Sequence, residues 1–242
     1  MAVSTTAMAE FWALIDEVGV YAQQDLVAIF ATMNEMSREQ AWSYLLSAAP
    51  ESAAMWRSSV VDLAEVFYEE TQKIAIDQQV AAFAREINSD AFEESLRWAF
   101  FAPQNSSSLS AASGVIDRAV TDGARSYGVS SMAKTRTVFR RAARSDACAF
   151  CRLLAQNEYS SAEAAFYVGG TKNKKSTRKN KRSRGEQFHD HCRCQAVKSS
   201  EYIQPDYMDQ WEEEYRAARK GARGDTSQIL ANMRKLNESS SR

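Results

Sequence analysis

The chain has 242 residues, a hydrophobic content of 45%, a charged content of 25% and a formal net charge of -1. These values are those of an ordinary globular protein, and they exclude a fibrous or wholly disordered chain. No apolar run approaches the roughly eighteen residues of a membrane span, and no secretory signal opens the chain, so we expect it to fold in a reducing cytosol.

The first hundred residues contain only one glycine, Gly19, and one proline, Pro50, and are rich in Ala, Glu, Gln and Leu, which predicts helices. Apolar residues recur at steps of three and four from Phe11 to Met33 and define one face of a first helix. Ser37 and Gln40 have the spacing of a capping box, which predicts the start of a second helix. We expect that helix to end at Pro50, which would then open a third helix.

The third helix is predicted from apolar residues at helical spacing, and we expect it to extend through Ile74 and to reach Phe83. A fourth helix is predicted to begin at Ser89 or Asp90. Serines and a glycine in the stretch 104–114 predict a loop, and its last residues can already enter a fifth helix.

We place a domain boundary in this loop, with an N-terminal helical region at 1–104 and a C-terminal module at 105–242. Beyond it, TRTVFRRAA and CRCQAVKS are predicted to be short strands, and two helical patterns end the chain. The fold class expected is therefore mostly α (α+β), with an elongated N-terminal helical region followed by a small module of short strands and C-terminal helices.

All cysteines and histidines of the chain lie in two short stretches, CAFC and HDHCRC: Cys148, Cys151, His189, His191, Cys192 and Cys194. A structural zinc ion is held by four such ligands, usually supplied as two close pairs. The first stretch supplies one pair. The second offers three, namely His189 with Cys192, His191 with Cys194, or the two cysteines. The clustering predicts one zinc ion per chain that staples the C-terminal module.

The stretches ACAFCRLLA and FHDHCRCQAV resemble the signature of the MuF-like head-morphogenesis proteins, which are minor capsid proteins of tailed phages. That signature is C-x-x-C followed, after a variable insert, by H-x-x-C-R-C. The segment that begins WEEEYRAARKGARG is also similar to the tail of actinobacteriophage proteins of this type, which are labelled minor capsid protein or capsid maturation protease. The resemblance covers roughly residues 130–240.

The resemblance implies zinc ligands at Cys148, Cys151, His189 and Cys192. His191 stands where many relatives have asparagine, so His191 and Cys194 remain alternates. The resemblance also implies a structural protein that acts in procapsid assembly near the portal, in the bacterial host cytoplasm, and is then packaged inside the virion. Its partners would be the portal, the scaffold or the major capsid protein.

Two enzymatic alternatives remain open. Some relatives are labelled capsid maturation protease, but this chain has no G-x-S-x-G motif and both histidines belong to the predicted metal cluster. HDHC after C-x-x-C is also similar to zinc-stapled HNH nucleases, although C-R-C replaces their second C-x-x-C. We therefore expect a structural protein rather than an enzyme.

A basic run lies between the two predicted ligand pairs, with no acidic residue in it: Lys172, Lys174, Lys175, Arg178, Lys179, Lys181, Arg182 and Arg184. Removing these eight charges leaves -1 - 8 = -9 for the rest, so an acidic body carries one basic loop. Lysine and arginine displace counterions from phosphates. The loop is predicted to contact packaged DNA without reading its sequence, and a solvated insert is the alternative.

Overall fold

A computed structural model describes residues 3–101, 107–162, 165 and 193–240. Residues 237–240 are described as backbone only. Its helices are α1 (Thr5–Met33), α2 (Arg38–Gln72), α3 (Gln78–Arg85), α4 (Ser89–Phe101), α5 (Ser108–Ser131), α6 (Ala149–Ala155), α7 (Tyr207–Arg219) and α8 (Thr226–Ser240). Its strands are β1 (Phe139–Ala142), β2 (Glu158–Tyr159) and β3 (Gln195–Lys198). The mostly α (α+β) class is confirmed. Over the described residues, no helix combines the length and apolar character needed to cross a membrane.

Helix α2 begins at the predicted capping box. The Ser37 hydroxyl accepts from the Gln40 amide, and the Gln40 side chain accepts from the Ser37 amide. The predicted break at Pro50 is wrong, because α2 continues through it to Gln72. Buried positions keep helical spacing on both sides of the proline, so burial offsets the one backbone hydrogen bond that proline removes. Lys73 then ends the helix in a left-handed conformation with φ 52°, so the predicted extension to Phe83 is also wrong.

Helix α5 packs against all four preceding helices and begins at Ser108, inside the stretch predicted as a loop. Two of its glycines face α2. A Cβ atom at Gly123 would lie 2.9 Å from the Arg57 Cγ atom, and one at Gly128 would overlap the hydroxyl and ring of Tyr68. The absence of side chains at these positions lets the two helices approach closely.

The described strands form one antiparallel sheet in the order β2-β1-β3, and the two predicted strands pair with each other. The outer edge of β3 is covered by side chains of α2. The Tyr68 hydroxyl donates to the Ala196 carbonyl at 3.0 Å, and the Gln72 side-chain oxygen accepts from the Lys198 amide at 2.6 Å. Helix α2 therefore satisfies backbone groups that a further strand would otherwise use.

The main hydrophobic core extends from Val3 to Trp211 and includes residues of α1–α5, the sheet and α7. Val3 also pairs with the segment after β3, where its carbonyl accepts from the Ile203 amide at 3.2 Å. A second, smaller cluster joins α6 to the hairpin of α7 and α8. The boundary predicted near residue 104 stays a prediction, and the core contains residues from both sides of it.

We expect Gly128→Ala to lower the free energy of unfolding by about 1–3 kcal/mol, because the new methyl group overpacks against the fully buried Tyr68. Chemical denaturation measures this loss. Gly19→Ala in α1 is the matched control, since its Cβ atom would meet nothing closer than 3.5 Å. Because alanine has a higher helix propensity than glycine, the free energy of unfolding of this variant should not fall and should rise by up to about 1 kcal/mol. Equal stability of the two variants would contradict the close α2–α5 contact.

Candidate functional site

The CAFC stretch forms the start of helix α6. Cys148 occupies the N-cap position and is exposed, whereas Cys151 lies in the first turn and is 2% exposed. Residues three apart at the start of a helix are neighbours on its surface, so this geometry suits two side chains that share one ligand. Helix α6 contacts β1 on one side and the α7–α8 hairpin on the other.

Arg152, which directly follows Cys151, anchors this helix. Its Nε atom donates to the Ala147 carbonyl at 2.6 Å, and Nη1 pairs with the Glu214 carboxylate of α7 at 3.1 Å. The guanidinium also lies 5.5 Å from the centre of the Trp211 ring. These contacts fix α6 against α7 from the residue next to the cysteine pair.

The HDHCRC stretch is described only from Arg193 onward. The Arg193 Nη1 and Nη2 atoms donate to the two Asp117 carboxylate oxygens of α5 at 3.0 and 2.8 Å. Its Nε atom donates to Asp16 of α1 at 2.7 Å, and its carbonyl accepts from the Trp12 indole at 2.8 Å. Two helices far away in sequence therefore hold the residue that joins Cys192 to Cys194.

This group pairs opposite charges, and its Arg193–Asp117 half is buried whereas Asp16 and Arg144 are partly exposed. Asp16 also pairs with Arg144, so two arginines meet two carboxylates, and we call these four residues the arginine–aspartate cluster. The side chains of Arg193 and Asp117 are 11% and 4% exposed. Burial by itself lowers the pKa of Arg193, but hydrogen bonds and charge from Asp117 and Asp16 outweigh it and raise the pKa overall. Arg193 is therefore a permanent cation at this position.

Cys194, at the start of the strand segment, is 2% exposed and belongs to the main core. Electrostatic interaction with Cys194 contributes to the raised pKa values of Tyr159, Tyr202 and Tyr207, after the larger effect of burial. The pKa of Tyr207 is raised to about 12.

The structure describes three of the six predicted ligand residues. Cys148, Cys151 and Cys194 are placed as above, whereas His189, His191 and Cys192 lie outside the described residues. Within the described ranges, no group of three or more His, Cys, Asp or Glu side chains is arranged to hold a metal ion. The zinc prediction therefore stays a prediction.

The basic run also lies outside the described part of the chain: Lys172, Lys174, Lys175, Arg178, Lys179, Lys181, Arg182 and Arg184. Sequence reasoning missed the roles of Asp16, Asp117 and Arg152. One signal was present, since an arginine adjoins a cysteine in both stretches, CAFCR and HDHCRC. Their acidic partners carry no comparable pattern.

Arg193→Gln should lower the free energy of unfolding by about 3 kcal/mol or more, because it leaves the buried Asp117 carboxylate without its bidentate partner. Arg193→Lys should lose less, since it keeps the charge but not the planar fork. Chemical denaturation measures both.

The control variant is Arg216→Gln, which breaks an ion pair whose side chains are 70% and 49% exposed. That change should cost about 0.5 kcal/mol at most. A loss at Arg193 no larger than this would show that the cluster does not stabilise the fold.

Comparison with known proteins identifies a family. No curated protein and no solved structure is significantly similar to the chain. The model of the VG15 protein family matches residues 2–218, and this range contains the core, both described cysteine segments and the arginine–aspartate cluster. Because the match covers most of the sequence, the protein belongs to the VG15 family, a phage-type family of viral gene proteins.

Proposed function

We propose that this protein is a minor capsid or head-morphogenesis protein of a tailed phage, with a structural role in procapsid assembly near the portal and a final place inside the virion. Membership of a phage-type family supports the phage origin. The resemblance of CAFC and HDHCRC to the MuF-like signature supports the head-morphogenesis role. The partner would be the portal, the scaffold or the major capsid protein.

The observation that carries this proposal is an exposed aromatic surface formed by α2 and α4. We define it by Arg38, Trp42, Arg97, Trp98 and Phe101. Trp98 is 53% and Phe101 39% exposed. The Trp42 and Phe101 rings are 5.2 Å apart, Arg38 lies 4.9 Å above Phe101, and Arg97 lies 5.4 Å above Trp42.

This combination of residues is typical of protein–protein contacts. Tryptophan and arginine are enriched at the positions that dominate binding energy in interfaces. Exposed apolar patches mark interaction sites more often than chance, because they otherwise promote aggregation. The aromatic surface therefore favours an assembly role over that of a self-contained enzyme.

We also propose that one zinc ion is held by Cys148, Cys151, His189 and Cys192, with His191 and Cys194 as alternates. Cys148 at the N-cap and Cys151 in the first turn of α6 are neighbours on the helix surface, which suits this role. Three thiolates and one imidazole are a usual zinc donor set. Arg152 and Arg193 would attach the two halves of the site to α7 and to α1 and α5. Such a metal would make the C-terminal module rigid.

We also propose that the basic run contacts packaged DNA. This part of the proposal rests only on the positive charge of the run. The capsid maturation protease and the HNH-like nuclease remain the alternative functions.

Purified protein should contain about one zinc ion per chain by elemental analysis, because two close ligand pairs complete one tetrahedron. Cys148→Ser and Cys151→Ser should lose the metal and lower the melting temperature of the C-terminal module. His189→Ala should release zinc, whereas His191→Ala should retain it. Cys194→Ser, in its folded fraction, is the control that keeps the metal. Metal-free protein would refute the site.

Mass spectrometry of purified particles should detect this chain, and Trp98→Asp should reduce its incorporation by about tenfold, since loss of an aromatic anchor in an interface commonly costs that much affinity or more. Circular dichroism should be unchanged, because Trp98 is half exposed. Met55→Asp, at a residue 52% exposed elsewhere on α2, should be incorporated normally. Absence of the chain from wild-type particles would contradict the proposed function.

A further inference from the structure

Two clefts lie end to end along one side of α1. The first has a volume of about 580 Å³ and lies between α1 and a wall that includes Arg144, Tyr202 and Tyr207. The second has a volume of about 730 Å³ and lies between α1, Arg193 and the start of α5. Asp16 lines both clefts, so they adjoin at the arginine–aspartate cluster, and we call the two clefts together the α1 groove.

Six of the α1 residues that line this groove follow a regular spacing of four and three: Ala9, Ala13, Asp16, Val20, Gln23 and Val27. That spacing matches the seam of a coiled coil, in which apolar residues recur on average every 3.5 residues; four of the six residues are apolar, and Asp16 and Gln23 are polar. Val20 and Val27 are 54% and 53% exposed. From Ala9 to Val27 the seam is about 27 Å long, which is enough for several turns of a second helix.

The core of the protein uses mainly a neighbouring face of α1, and Met8, Trp12 and Gly19 of that face also border the clefts. Met8, Ile15, Ala22 and Ile29 recur at steps of seven and are buried against the rest of the protein. The groove seam lies one residue further along the chain, on a neighbouring side of the helix. Helix α1 therefore carries two seams, of which one is buried and the other is open over much of its length.

The outer flank of the groove is acidic. Glu10 and Glu17 are exposed and lie seven residues apart, each directly after a seam residue. In a coiled coil, this flanking position pairs with a residue of opposite charge on the facing helix. On the inner side, Asp16 is already paired with Arg144 and Arg193, so the flank supplies the charge that selects a partner.

We propose that the α1 groove binds an amphipathic helix of a partner protein, with small apolar residues in its seam and lysine or arginine on the flank that faces Glu10 and Glu17. The inference deepens and rests on the proposed assembly function, since it gives the chemistry of one partner segment. The acidic charge of Glu10 and Glu17 favours a basic helix as the occupant of the groove. Binding of a second copy of this chain, or of the chain's own basic run, would give a different result in the test.

The test uses a fluorescent synthetic peptide of three heptads, with Ala and Leu in the seam and Lys at the flanking positions, and a matched peptide with Glu in place of Lys. Fluorescence anisotropy with the full chain at low salt should show that the Lys peptide binds about tenfold more tightly, because two charge pairs change from attraction to repulsion. Val20→Asp with Val27→Asp should weaken binding of the Lys peptide at least tenfold. Val66→Asp, at a residue 51% exposed on α2, is the control and should bind normally.

Charge reversal gives a sharper readout. Glu10→Lys with Glu17→Lys should invert the preference and favour the Glu peptide, which a general loss of folding cannot do. Equal affinity for the two peptides, or no inversion, would overturn the proposal. A concentration-dependent dimer that Val20→Asp with Val27→Asp abolishes would overturn it in favour of a second copy. Tighter peptide binding after replacement of the eight basic residues in 172–184 by serine would assign the groove to the chain's own basic run.

The two proposals fail in different ways. If the chain is found in particles but neither wild type nor variants distinguish the peptides, the groove inference alone is refuted. If the chain is absent from particles while peptide selectivity and its inversion are observed, the assembly function is refuted and the groove stands.

Discussion

The arginine–aspartate cluster is the constraint on which the relation between helices and sheet depends. Arg193 lies two residues before β3, and its partners lie on α1 and α5. Burying charge is costly unless each charge is paired and hydrogen-bonded, and here two arginines meet two carboxylates with a bidentate contact among them. Any displacement of β3 relative to the helices would break these pairs together. The cluster therefore sets the position of the sheet on the helical body.

Sequence reasoning succeeded where the signal is local. Ser37 and Gln40 form the predicted capping box, and the periodicity from Phe11 to Met33 marks the buried face of α1. The strands β1 and β3 were predicted from composition. Sequence reasoning failed at Pro50, because burial along α2 outweighs the local preference of proline to break a helix. A rule based on single residues does not include this burial.

The contacts that organise the site were beyond sequence reasoning because they join distant residues. Arg193 and Asp16 are 177 positions apart, and nothing near Asp16 distinguishes it from an exposed acid on a helix. Tyr68 illustrates the same limit. Its hydroxyl reaches β3 only because Gly128 leaves space on α5, so the role of each residue depends on the other. The sequence shows that Arg152 and Arg193 each adjoin a cysteine, but it does not show which acidic residues they pair with.

The covered edge of β3 has a consequence for how copies of the protein can associate. An uncovered strand edge offers its amides and carbonyls to any other chain, and copies can then join edge to edge into fibres. Tyr68 and Gln72 occupy those groups from within the same molecule. Intermolecular β-pairing is thus blocked on that side of the sheet, and association there must proceed through side-chain surfaces, whose geometry can limit the number of copies that meet.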